Sequence, residues 1–144
     1  MIESRYLFKA KRVDNGEWIE GSYVYTFTPD KECPVVGIHK ENHWIVEKNG
    51  NIVIVDPSTL CQCTGLRDKN GKLIWENDII KYTDMITRTK KIACIEWSNA
   101  QASFVRAYRS QMGLQYLYID EFIANSGEVI GNKFDDVELL EVQE

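Results

Sequence analysis

The chain has 144 residues, is 44% hydrophobic and 27% charged, and carries a net charge of −5. This globular composition excludes disordered, collagen-like and low-complexity classes. At this length roughly two thirds of the unfolded surface can be buried, so one ordinary domain or two very small ones form without metal or disulfide staples. No run reaches the ~18 consecutive apolar residues of a membrane helix. Met1-Ile2-Glu3-Ser4-Arg5 has no basic stretch leading into an apolar one, which predicts a cytoplasmic protein without a secretory signal.

In chain order, Arg5 to Arg12 places Tyr6, Phe8 and Ala10 on one face at period two. Asp14-Asn15-Gly16 supplies a tight hairpin before Trp18-Ile19-Glu20, and Gly21 is expected to break that run. Ser22 to Phe27 is rich in aromatic and β-branched residues and reads as a strand. Pro29-Asp30 and Pro34 mark a loop. His43 to Val46 and Asn51 to Val55 flank Lys48-Asn49-Gly50, a second hairpin. Pro57 cannot extend a central strand. The boundary is therefore placed there, with an N-terminal β unit over 1–56 and a second unit over 57–144; one compact domain is the alternative.

The second part opens with Leu60-Cys61-Gln62-Cys63 and the turn Thr64-Gly65. Asp68-Lys69-Asn70-Gly71 then signals a third hairpin leading into Leu73-Ile74-Trp75. Ile79 to Tyr82 and Ile92 to Trp97 read as strands around a basic, polar loop. Residues 98–109 fit two patterns. Ser98 and Gln101 suit a helical capping box, whereas Phe104, Arg106 and Tyr108 alternate as in a strand, the preferred reading. Leu114 to Ile119 looks extended, and Glu128 to Asn132 and Val137 to Leu140 suggest two short strands around a turn. Regularly spaced short strands with glycine turns predict an all-β (mainly β) fold, a sandwich or small barrel rather than a βαβ fold.

The chemistry-bearing residues do not assemble into a recognisable centre. His39-Lys40-Glu41-Asn42-His43 superficially matches H-E-x-x-H, but its glutamate comes one place late. On a strand the two rings would stand about 13 Å apart, too far to share a zinc ion. Cys33, Cys61, Cys63 and Cys94 are expected as reduced thiols. Cys61 and Cys63 would point the same way along a strand, yet C-x-C lacks the usual zinc spacing. Nothing ties Ser58, Thr59 or Ser98 to a histidine base, as nucleophilic catalysis requires. Asp135, Asp136, Glu138 and Glu141 read as solvated, mutually repelling charges at an exposed edge. No phosphate-binding glycine loop is present. The expectation is a chain that is not an enzyme, with no catalytic residues, metal or cofactor.

Charge is uneven. Residues 1–60 sum to −2, residues 61–110 to +4 and residues 111–144 to −7. A basic middle and an acidic tail attract one another within or between chains. This favours an interaction module that binds protein, including copies of itself as a homo-oligomer, and does not engage a membrane. The alternative is nucleic-acid binding through Arg67, Lys69, Lys72, Lys81, Arg88, Lys90 and Lys91, with Trp75, Tyr82 and Trp97 as stacking platforms. The net negative charge opposes that alternative.

One stretch is more specific than any periodicity. Pro57, Thr59, Gln62, Thr64-Gly65-Leu66, Asp68, Asn70-Gly71, Ile74-Trp75-Glu76 and Asp78-Ile79 form a long signature. It resembles that of the YopX family of phage and prophage proteins. Phe8-Lys9-Ala10, Trp18-Ile19-Glu20-Gly21, Ile95-Glu96-Trp97 and Val129-Ile130-Gly131-Asn132 resemble the family's other landmarks. Where the family pattern has Gly before Asp78, this chain has Asn77, a residue that also reaches left-handed backbone angles. The resemblance implies an SH3-like small β-barrel in the C-terminal part and an accessory role in phages and integrated elements. It carries over no enzymatic activity and no active-site residues. In physical terms the signature reads as turns wrapping a core, with Asp78 bonding the backbone of the preceding turn.

Overall fold

A computed structural model describes residues 4–29 and 39–141, so the Asp30–Pro34 loop and Cys33 lie outside the described residues. The described strands all pair antiparallel and fall into two compact units, residues 1–62 and 63–144. The fold is all-β, as the spacing of strand signals predicts. Pro57, where the sequence places a boundary, begins a short 3-10 turn, Pro57–Thr59, capped by the Asp56 carboxylate.

The first unit is built on β1 (Phe8–Lys11), β2 (Trp18–Pro29), β3 (His39–Val46) and β4 (Ile52–Ile54). Neighbours run β4-β3-β2-β1, and Cys61 and Gln62 of β5 (Cys61–Arg67) pair with β1. Ala10, Ile19, Ile45 and Val55 form the core, with Phe8, Tyr23, Val53 and Leu60 packed against it. Gly21 does not break the strand. It pairs with Phe8 inside a continuous β2, because the Val46 carbonyl and Ile45 occupy the space a side chain would fill.

In the second unit β5 continues against β6 (Leu73–Trp75). A meander follows: β7 (Asp78–Thr83), β8 (Lys90–Ser98), β9 (Ser103–Ser110) and β10 (Gly113–Tyr118). A short helix, α1 (Glu121–Ser126), then leads to β11 (Glu128–Asn132), which returns alongside β7. The sheet order is β10-β9-β8-β7-β11. Ile74, Ile80, Tyr82, Ala93, Ile95, Ile123 and Ala124 form its core.

Residues 103–110 are a strand, as preferred. The Ser98 hydroxyl does accept the Gln101 N–H at 3.3 Å, but in a hairpin turn in which Ala102 takes a positive φ of 51°. Val137–Leu140 is a 3-10 turn, not the expected strand. The reason is local competition: Asp136 accepts the Asn132 N–H at 3.0 Å and the Asn132 side chain accepts the N–H groups of Phe134 and Asp135, so a turn replaces the ladder. Asn77 takes φ 69°, the left-handed conformation anticipated from its place in the signature.

Two glycines separate backbone strain from steric exclusion. Gly71 has φ +78° with open space where a Cβ would stand, so Gly71→Ala should cost only the backbone term, about 1 kcal/mol. A Cβ at Gly21 would fall on the Val46 carbonyl, so Gly21→Ala should cost more, about 2–3 kcal/mol. Urea unfolding of the two variants checks both magnitudes and their order.

Candidate functional site

The signature residues act on the backbone around them. The Thr64 hydroxyl donates to the Ile74 carbonyl at 2.7 Å and accepts the Leu66 N–H at 3.0 Å. The Asp78 carboxylate accepts the Trp75 N–H at 2.8 Å, the bond to the preceding turn that the sequence suggests. Asp68, almost wholly buried, accepts from Asn70 and Lys72 within its turn and from Val129 at 3.0 Å. Burial pushes its carboxyl up, but the three N–H donors win and hold it below the usual aspartate value.

Other candidate side chains serve turns in the same way. The Ser58 hydroxyl donates to the Asp56 carboxylate, and the Thr59 hydroxyl donates to the Asp56 carbonyl while accepting the Lys11 N–H. His43 stands on β3 with Nδ1 2.6 Å from the Tyr23 hydroxyl and its ring 5.1 Å from that of Tyr25. The His39 side chain lies outside the described residues. Cys61, Cys63 and Cys94 are buried, the first donating to the Thr59 carbonyl at 3.2 Å. Among the described residues no three His, Cys, Asp or Glu side chains are grouped as a metal site would need.

The charges are partly spent internally. Lys69 pairs with Glu128 at 3.1 Å, an intrachain contact between the basic segment and the acidic one. Both side chains are about half exposed, so the pair is worth at most about 1 kcal/mol. Asp136 is half-buried and bonds the Asn132 main chain in a turn, while Asp135, Glu138 and Glu141 are exposed, Asp135 accepting from the Asn132 side chain at 3.1 Å. Asp84 accepts the N–H groups of Thr87 and Ile86, the Thr87 hydroxyl, and the Lys91 ammonium at 3.0 Å. These donors, the Thr87 amide foremost, hold its carboxyl far below the usual range. Lys91 also lies over the Tyr108 ring at 4.7 Å.

Two of the expected stacking platforms are core residues. Trp75 is 4% exposed and Tyr82 is fully buried; only Trp97 reaches solvent, with its edge against Phe104. Exposed aromatic residues include Tyr6, Tyr25 and Phe122, and on β10 Leu114, Tyr116, Leu117 and Tyr118 are all exposed along one strand. The signal was present in the sequence: Gly113-Leu114-Gln115-Tyr116-Leu117-Tyr118 has neither charge nor proline. Its position at the sheet edge was not.

The other edges are blunted. β11 carries Glu128 and a register shift between Val129 and Gly131, while β4 and β6 are three residues long. Short strands, charges and bulges are the usual protections of an edge, and β10 has none of them. In an antiparallel pair, alternate residues turn their N–H and C=O groups away from the partner strand. β10 pairs only with β9 among the described strands, so these groups face outward along its far side.

The YopX protein family model matches residues 7–141, nearly the whole chain. The chain belongs to the YopX family. No curated protein matches it in sequence. Among solved structures, the crystal structure of protein EF1440 from Enterococcus faecalis is similar at 17% identity, covering 92% of this chain and 96% of that one with a TM-score of 0.44. No helix among the described residues is long and apolar enough to cross a membrane.

The carboxylate network sets a pH dependence. Asp68 and Asp84 are depressed in the folded state. Their contribution is therefore complete above the unfolded value and is lost as pH falls through the folded values. Urea midpoints should hold between about pH 5 and 8 and fall below about pH 4, with a shallower acid fall in Asp84→Asn.

Proposed function

We propose that this YopX-family chain is a non-enzymatic accessory protein of phage or prophage origin, working in the bacterial cytoplasm as a self-associating module. The family resemblance supports the phage context. The turn-bound hydroxyls of Ser58, Thr59 and Ser98 support a scaffold rather than a catalyst. The strand order supports an SH3-like reading of the second unit: a four-stranded meander, a short helix, and a fifth strand returning beside the first of the four.

The observation that carries self-association is the uncharged edge of β10. Its occupant is a second copy of β10 paired antiparallel about a two-fold axis. Such an interface is isologous, so each side chain meets its own kind or a near neighbour. A charged edge would repel itself in that arrangement; an edge of Leu, Tyr and Gln does not. The net charge of −5 disfavours contact between copies over most of the surface, which leaves the neutral strand as the preferred line of approach. Arg106 reaches β10 only at its end, where its Nε donates to the Tyr118 carbonyl at 2.8 Å while its guanidinium lies over the Tyr82 ring.

Light scattering after size exclusion, at low salt and tens of micromolar chain, should give twice the 16.7 kDa chain mass. Tyr116→Lys combined with Leu114→Lys should return the monomer, with a melting temperature within a few degrees of the parent because both side chains are exposed. A monomeric parent, or a dimer that survives both lysines, removes the proposal.

A further inference from the structure

We propose that the second unit holds a phosphate-binding cleft at the end of the sheet formed by the β7–β8 loop and the β9–β10 turn. This inference does not depend on self-association through β10. The cleft has a volume of about 800 Å³ and is lined by Lys81, Lys90, Arg109, Thr87, Thr89 and Ser110, among others, with no acidic side chain in its wall.

Strand register explains the convergence. Lys81 lies opposite Ile92, and Ile79 opposite Cys94, which in turn lies opposite Ala107. Alternation then sets Lys81, Ile92 and Arg109 on one face of the sheet, with a cation on each side of an apolar residue. Of the acids around it, the Asp84 carboxylate is turned toward the Ile86 and Thr87 amides and the Lys91 ammonium. Glu128, opposite Lys81 in the register, pairs with Lys69 at 3.1 Å, and Glu96 and Glu141 line the adjoining cavity that Arg109 also borders. Lys90 donates to the Thr83 hydroxyl at 2.8 Å, and the Thr87 and Thr89 hydroxyls are 2.7 Å apart. Ammonium, guanidinium and hydroxyl donors thus line one concavity in a chain that is negative overall.

The donor set selects the ligand. A carboxylate offers two oxygens in one plane, whereas a free or monoester phosphate offers three or more, and a phosphodiester two, arranged tetrahedrally; each accepts a guanidinium fork. A cleft of this size suits a small ligand. The shared chemistry is a phosphate group, carried either by a free small molecule or by the backbone of a single-stranded nucleic acid. Stacking on Trp75 and Tyr82 takes no part, since both are buried.

The test uses the full chain with two probes. Inorganic phosphate at millimolar concentration should shift the amide resonances of Lys81, Lys90 and Arg109 in a saturable way. A fluorescein-labelled 12-nucleotide oligo-dT is followed by anisotropy at 50 and 200 mM salt. Saturable phosphate shifts alone assign the cleft to a small phosphate ligand. Shifts together with salt-sensitive oligo-dT binding assign it to a nucleic-acid strand. In either case Lys81→Ala with Arg109→Ala should weaken binding at least fivefold, and Lys133→Ala, on the turn after β11, less than twofold. Neither probe binding overturns the proposal. So does equal weakening by Lys133→Ala, which would mean diffuse attraction, and so does equal affinity for an oligo-glutamate peptide, which would mean no selection for phosphate.

Discussion

The carboxylate of Asp68 is the constraint on which the second unit depends. One oxygen holds the N–H groups of Asn70 and Lys72, fixing the turn between β5 and β6. The other holds the N–H of Val129, a residue 61 positions later. With Asp68 at 4% exposure, its carboxylate has little access to water as an alternative partner. The bond to Val129 ties the turn to β11, and β11 pairs with β7. The Lys69 amide adds a bond to the Gly127 carbonyl at 2.9 Å at the same junction. β11 thus forms one edge of this sheet and β10 the other.

Thr64 and Asp78 work in the same way at the next two bends, each satisfying a main-chain group that a tight reversal would strand. Small polar side chains at fixed offsets from glycines are what such reversals need, because the side chain stands in for the missing ladder partner. The memorable part of the sequence is thus accounted for by backbone satisfaction. It directs attention to surfaces the signature does not include.

Much of the fold was legible in the residues. Period-two alternation with Asn-Gly and Asp-containing turns marked β1, β2, β3, β6, β7 and β8, because half-buried strands must alternate. The left-handed backbone of Asn77 followed from its place before Asp78. What failed was decided by contacts distant in sequence or by local side-chain competition. Gly21 looks like a breaker until the Val46 carbonyl is seen beside it. Val137 to Leu140 has strand composition, but Asn132 and Asp136 draw the preceding main chain into a turn. The helix α1 is six residues long, too short for periodicity to reveal, although Asp120 caps it.

The surfaces were less legible than the fold. Basic residues of the middle segment were identified, yet which of them converge depends on strand register. Arg109 joins Lys81 only because β9 lies two strands from β7. Aromatic content alone could not separate Tyr82, in the core, from Tyr116, at the edge; both sit in strands of similar composition, and only the sheet order distinguishes them. The most direct test of the account is the unfolding free energy of Asp68→Ala in urea at pH 7. If the signature exists to satisfy the backbone, the variant should lose about 2–4 kcal/mol and the Val129 amide should lose its hydrogen-exchange protection. Stability within about 0.5 kcal/mol of the parent, with Val129 still protected, would contradict it.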